Sequence, residues 1–231
     1  MTSFHRWLCA GGLAIATIAS ASASVSTLGT SVDGGDRASY NQWLAMSFEL
    51  DAGADDVTVG SVSMRVRSLT ANANVYVAIT SSESQRPLME DVLVIFDTSE
   101  LANAVSMPTS TLFTMDPELD QDSPAPILTA GALYWLVFGI TDLDHDQDLP
   151  GGLYEWDYTT ASSPFEENDG LSVGGLIATG DTGGQDWDPV AASPYHFSVD
   201  IAPPIPEPGV AAMSVLAGIV LLARRSRRTQ R

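Results

Sequence analysis

The sequence predicts an all-β chain, folded as a single antiparallel β-sandwich or jelly-roll-like domain, and three observations predict it. Apolar residues recur at every second position over many short stretches, the period of a strand with one buried face. Two runs, "VLVIF" at 92–96 and "ALYWLVFGI" at 132–140, are apolar on both faces, as central strands are when covered from both sides. Clusters of Gly, Pro, Asp and Ser separate these stretches, and helical periodicity is almost absent.

Taken in order, Met1–Ala23 has a positive start at Arg6, an apolar stretch at Leu8–Ile18 and a small-residue end at Ala21-Ser22-Ala23. That is the layout of a secretory signal peptide. The apolar core is short and rich in Gly, Ala and Thr, so an uncleaved anchor is the rival reading. The extracellular domain is expected over 24–202. Within it Met46, Phe48 and Leu50 alternate with Ser47 and Glu49, and Val62, Met64 and Val66 with Ser63, Arg65 and Arg67. Val57 and Val59 fall out of phase with Val62, and the slip at Gly60 predicts a bulge. Val75, Val77 and Ile79 repeat the alternation, and "DTSELANAV" at 97–105 has room for one or two helical turns. Residues 160–190 read as long loops holding one strand, "LSVGGLIAT". Tyr195, Phe197, Val199 and Ile201 then alternate with His196, Ser198 and Asp200.

Pro203, Pro204, Pro206 and Pro208 make 203–208 a stiff, extended spacer. The apolar segment Gly209–Ala223 follows, 15 residues long, and 224–231 is a basic tail with Arg224, Arg225, Arg227 and Arg228. As a helix the apolar segment would span roughly 22 Å, short of the ~30 Å hydrocarbon core. Snorkelling arginine stems and a thinned bilayer make a marginal span feasible, with the arginines cytoplasmic and the domain outside.

Charge narrows the classes. Residues 24–204 hold 28 acidic residues against Arg37, Arg65, Arg67 and Arg86, leaving 24 net negative charges, and the chain has no lysine. Such a field repels nucleic acid and anionic lipid and favours divalent cations. Cys9 is the only cysteine and lies inside the leader, so the exported part has no disulfide and no cysteine metal site. About 180 residues between the ends suffice for one substantial core.

Pro206-Glu207-Pro208, an apolar stretch and a terminal arginine cluster together resemble the PEP-CTERM sorting signal of bacterial surface proteins. The resemblance covers about 25 residues. It implies export through the Sec translocon and signal peptidase, and a transient membrane stop. Cleavage near Pro206–Pro208 by an exosortase-type membrane transpeptidase would follow, with frequent association with exopolysaccharide in a Gram-negative-type envelope. In the middle, "QWLAMSFEL", "VTVGSVSMRVRS", "VYVAITSS", "LTAGALYWLVFGI" and "LYEWDY" resemble, in this order, the choice-of-anchor R domain. That family joins one extracellular β-rich domain to different anchors and supplies no catalytic residues to carry over.

Candidate chemistry is concentrated in "DLDHDQDLPGGLYE" at 142–155. Asp144, Asp146, Asp148 and Glu155 occupy positions 1, 3, 5 and 12 of a calcium-loop template, where alternate carboxylates converge on a hard cation. Leu149 replaces the turn glycine and Pro150 follows, which equally suits a solvated acidic loop. "DPELDQD" at 116–122 alternates in the same way. Trp156 and Trp187 stand among acids next to loops and are the candidates for stacking on sugars, whereas Trp135, mid-strand, reads as core. His145 and His196 have no zinc-ligand neighbours and read as surface residues. Paired carboxylates suit glycoside hydrolysis, yet acids this abundant make any pair unspecific.

The expectation is therefore an exported, non-catalytic surface or extracellular-matrix protein. It would be sorted by its tail and associated with exopolysaccharide. A calcium-assisted carbohydrate-binding module is the alternative, and a polysaccharide hydrolase a third reading.

Overall fold

The structure, a computed structural model, describes residues 23–28, 31–68, 74–104, 107–118, 126–141, 154–160, 166–167, 171–180, 184, 186–190 and 193–202. The described residues form strands β1 (Ala23–Ser26), β2 (Gly34–Ala38), β3 (Trp43–Leu50), β4 (Val57–Ser68), β5 (Val75–Glu83), β6 (Arg86–Ile95) and β7 (Met107–Met115). They continue with β8 (Ile127–Leu128), β9 (Leu133–Ile140), β10 (Tyr154–Tyr158), β11 (Glu166–Glu167), β12 (Leu171–Gly180), β13 (Trp187–Val190) and β14 (Phe197–Ala202). One helical turn, α1 (Ser99–Ala102), lies within the predicted 97–105. The described residues are thus nearly all β. Among the described residues no helix is long and apolar enough to cross a membrane.

Two antiparallel sheets enclose a common core. The eight-stranded sheet runs β11-β1-β14-β4-β10-β2, with β7 and β8 also pairing along the long β4. The six-stranded sheet runs β13-β12-β3-β9-β5-β6. Met46, Phe48, Val77, Ile79 and Phe138 face the core from the smaller sheet; Val62, Met64, Val66, Phe197 and Val199 face it from the larger. Period-two alternation explains this directly, since each strand sends every second side chain inward. Each such side chain contributes about 1.5–3 kcal/mol on leaving water.

The slip at Gly60 is a bulge. Asp200 pairs with Ser61 and Ile201 with Val59, so Gly60 is skipped in the register. A Cβ there would approach the Asp200 carbonyl oxygen to 3.3 Å, closer than most Cβ contacts. β9 is central and buried along nearly its whole length, as its two apolar faces predict. The run 92–96 is different. It belongs to β6, the edge of the six-stranded sheet, and Ile95 is 41% exposed. A short apolar run reports low polarity on both faces, and it carries no information on whether a neighbouring strand arrives.

β1 and β14 lie side by side, with Ala23 opposite Ile201. The first and last described residues therefore leave the domain at the same end. The leader before Ala23, the 203–208 spacer with Pro206, Glu207 and Pro208, the apolar segment and Arg224, Arg225, Arg227 and Arg228 lie outside the described residues.

Candidate functional site

The alternation "YEWDY" makes β10 a two-faced strand. Tyr154 and Trp156 point into the core, while Glu155 and Asp157 point outward. Trp156 is fully buried, stacks on Tyr195 at 4.5 Å between ring centroids, and donates its Nε1–H to the His196 carbonyl at 3.0 Å. That corrects the expectation of a sugar platform there, because both ring faces are committed to the core.

Glu155 is also reassigned. It lies between two arginines from the flanking strands: Arg37 Nε to its Oε1 at 3.3 Å, and an Arg67 terminal nitrogen to its Oε2 at 3.0 Å. Arg67 Nε also donates to Asp157 Oδ1 at 3.0 Å, and Asp157 is fully buried, its Oδ2 without a partner among the described residues. Gly35 lets these groups close in, since a Cβ there would meet the Arg67 guanidinium at 2.9 Å. A carboxylate neutralised by two guanidiniums on a strand is a poor twelfth ligand of a cation loop. Asp144, Asp146 and Asp148 lie outside the described residues, as does His145. Among the described residues no cluster of three or more His, Cys, Asp or Glu could hold a metal ion.

The outer face of the six-stranded sheet carries a second apolar cluster. Trp43 and Ala45 of β3, Trp135 and Val137 of β9, Ala178 of β12 and Trp187 of β13 are buried together, with Tyr76 and Met89 packed against them. Glycines make the room. A Cβ on Gly139 would fall inside the Trp43 ring, and one on Gly180 would press on Trp187 at 3.1 Å. Gly184 adopts φ +67° beside both rings, a conformation open to glycine at little cost. Trp135 reaches Ser82 Oγ with its Nε1–H at 3.1 Å. The buried Nε1–H groups of Trp43 and Trp187 have no partner among the described residues.

Beside this cluster is a groove of about 530 Å³ between the β5–β6 hairpin on one side and Gly184 and Trp187 on the other. Glu83, Arg86, Glu90, Met89 and Trp187 line it. Trp187 is 3% exposed, so it meets the groove with little more than an edge and gives no open stacking face. Of the two expected aromatic candidates, then, one is core and the other borders a cavity. Arg86, Glu83 and Glu90 were not anticipated. The legible signal was "ESQRP" between two strand patterns, a tight turn carrying charges on both flanks.

His196, expected at the surface, is fully buried. Its ring nitrogens sit 3.0 Å from the Thr27 carbonyl and 3.1 Å from the Ser31 carbonyl, two acceptors the strand pattern did not reveal. Hydrogen bonds from the Thr160 side chain and backbone hold the Asp33 carboxyl below its ordinary range, and those from Ser99 do the same for Asp97. Burial, then the charge of Asp36, pushes the Tyr195 phenol far above its usual value. No family model matches the chain, and no curated protein matches it either.

Proposed function

We propose that the protein is an exported, non-catalytic component of the bacterial surface or extracellular matrix. Its core would be a β-sandwich of jelly-roll type, delivered by a PEP-CTERM-like tail that pauses in the inner membrane and is cut by an exosortase-type transpeptidase. The observation that carries this reading is the pairing of β1 with β14. With Ala23 opposite Ile201, a leader and a tail would meet the membrane on the same side of the domain. The rest of an acidic domain would then face away from anionic lipid, as its charge favours.

The non-catalytic part draws on the sequence, in which acidic residues are so abundant that no carboxylate pair stands out. The jelly-roll reading draws on two antiparallel sheets whose neighbours are mostly not consecutive in sequence. Calcium has no part in the proposal, since Glu155 is held by Arg37 and Arg67.

The test is the mass of the mature C-terminus from the producing cell. An end near Pro206–Pro208 is expected. Recovery of a chain still carrying Arg231 would reduce the tail to a plain anchor and remove the transpeptidase from the account.

A further inference from the structure

The geometry points to a saccharide-binding site in the groove beside Trp187. Three independent observations converge on it. First, Trp187 borders the groove, and its buried Nε1–H has no partner among the described residues, a costly state for a donor. Second, Arg86 stands between Glu83 and Glu90 in the lining and makes no ion pair among the described residues, so its guanidinium is available. Third, the hairpin that forms one wall is strained. Ser84 and Gln85, its two turn residues, have φ of +52° and +62°, where glycine or asparagine is the usual occupant. Strain of that kind is kept where surrounding structure holds it, often at a binding site.

The chemistry of the lining selects the ligand class. Sugar hydroxyls both donate and accept, so they suit two carboxylates and a guanidinium lining one cavity. The edge of Trp187 and the side chain of Met89 offer apolar surface to the C–H face of a ring. Phosphate and nucleic acid are disfavoured by Glu83 and Glu90 and by the net charge of the domain. A metal ion is disfavoured by Arg86. The volume of about 530 Å³ falls within the ~300–1,000 Å³ of small-molecule sites, enough for a short oligosaccharide. The inference deepens the matrix reading, on which it rests for the source of the sugar. The site itself belongs to the folded domain and is tested apart from sorting.

The full chain, held in a mild detergent, would be titrated with oligosaccharides released from the producing cell's own extracellular polysaccharide, and with maltotriose. Tryptophan fluorescence and calorimetry would be followed together. Saturable binding of at least one probe is expected. Trp187→Phe, which removes the N–H and shortens the ring that borders the groove, should weaken it about three- to tenfold, provided its melting temperature shows a folded chain. Arg86→Ala, on an exposed side chain, should weaken it tenfold or more. Trp156→Phe, in the main core, should leave the affinity unchanged provided its melting temperature shows a folded chain. No saturable binding of any probe, or affinities untouched by both Trp187→Phe and Arg86→Ala, would overturn the proposal. Neither result bears on the mass of the C-terminus, so the sorting reading fails or stands separately.

Discussion

Tyr195 illustrates how much a single side chain can carry in this domain. Its ring stacks on Trp156, its backbone carbonyl accepts from Thr27 Oγ1 at 2.6 Å, and its hydroxyl donates to Asp36 Oδ2 at 2.8 Å. Burial and the Asp36 charge keep the phenol protonated far above its ordinary 10.0. In the unfolded chain it ionises near 10, so above that pH the unfolded state loses a proton that the folded state retains. Stability therefore falls as the pH climbs past 10, by up to ~1.4 kcal/mol per pH unit from this group. Tyr195→Phe should cost about 1–3 kcal/mol at pH 8 through the lost charged hydrogen bond. Its deficit should shrink above pH 10, because phenylalanine has no proton to lose. Urea midpoints at pH 8 and 10.5 would decide it, and a deficit constant with pH would contradict the linkage. Gly139 makes the steric counterpart. Its missing Cβ is the space the Trp43 ring occupies, so Gly139→Ala should destabilise by about 1–3 kcal/mol through overpacking. A melting temperature equal to the parent's would show that the outer cluster rearranges freely.

At the scale of elements, β2, β10 and β4 are fastened across their outer face by Arg37, Glu155, Arg67 and Asp157. Asp157 is fully buried, and its charge is tolerable only beside the Arg67 guanidinium. Arg67→Met alone should therefore cost about 3–5 kcal/mol by leaving a buried carboxylate uncompensated. Adding Asp157→Leu should recover much of that loss. Denaturant unfolding of the two single variants and the double variant measures the coupling, and simply additive losses would refute it. This strand also shows what was readable beforehand. Tyr154, Glu155, Trp156, Asp157 and Tyr158 alternate perfectly, so the burial of Trp156 and the outward pairing of Glu155 could be read from period two. The calcium template obscured that, because it matched residue spacing and ignored the strand that the same residues spell. β6 failed in the opposite direction. Its apolar run was legible, but an edge position depends on which strand pairs next, and no local residue encodes that.

For the whole molecule, the charge imbalance is the dominant global property. With 24 net negative charges on residues 24–204, the compact state is strained by self-repulsion. Screening shortens the reach of that field to about 8 Å at physiological ionic strength, so adding sodium chloride to a low-salt solution should raise the melting temperature. A melting temperature that is flat or falling with salt would mean that the ion pairs outweigh the net field. By itself the amino-acid sequence determined the all-β class, the Gly60 bulge, the inward residues of β3, β4, β5, β9 and β14, and the acidic, cysteine-free character of the domain. Those follow from alternation and composition, which are local and additive. Only the tertiary structure decided that His196 is buried against the Thr27 and Ser31 carbonyls and that Glu155 lies between two arginines. It also decided that Trp43, Trp135 and Trp187 share a second core, and that Arg86 and Trp187 line one groove. These depend on which distant segments cover which faces. Period two states that a face exists, and packing between residues far apart in the chain determines what lies against it.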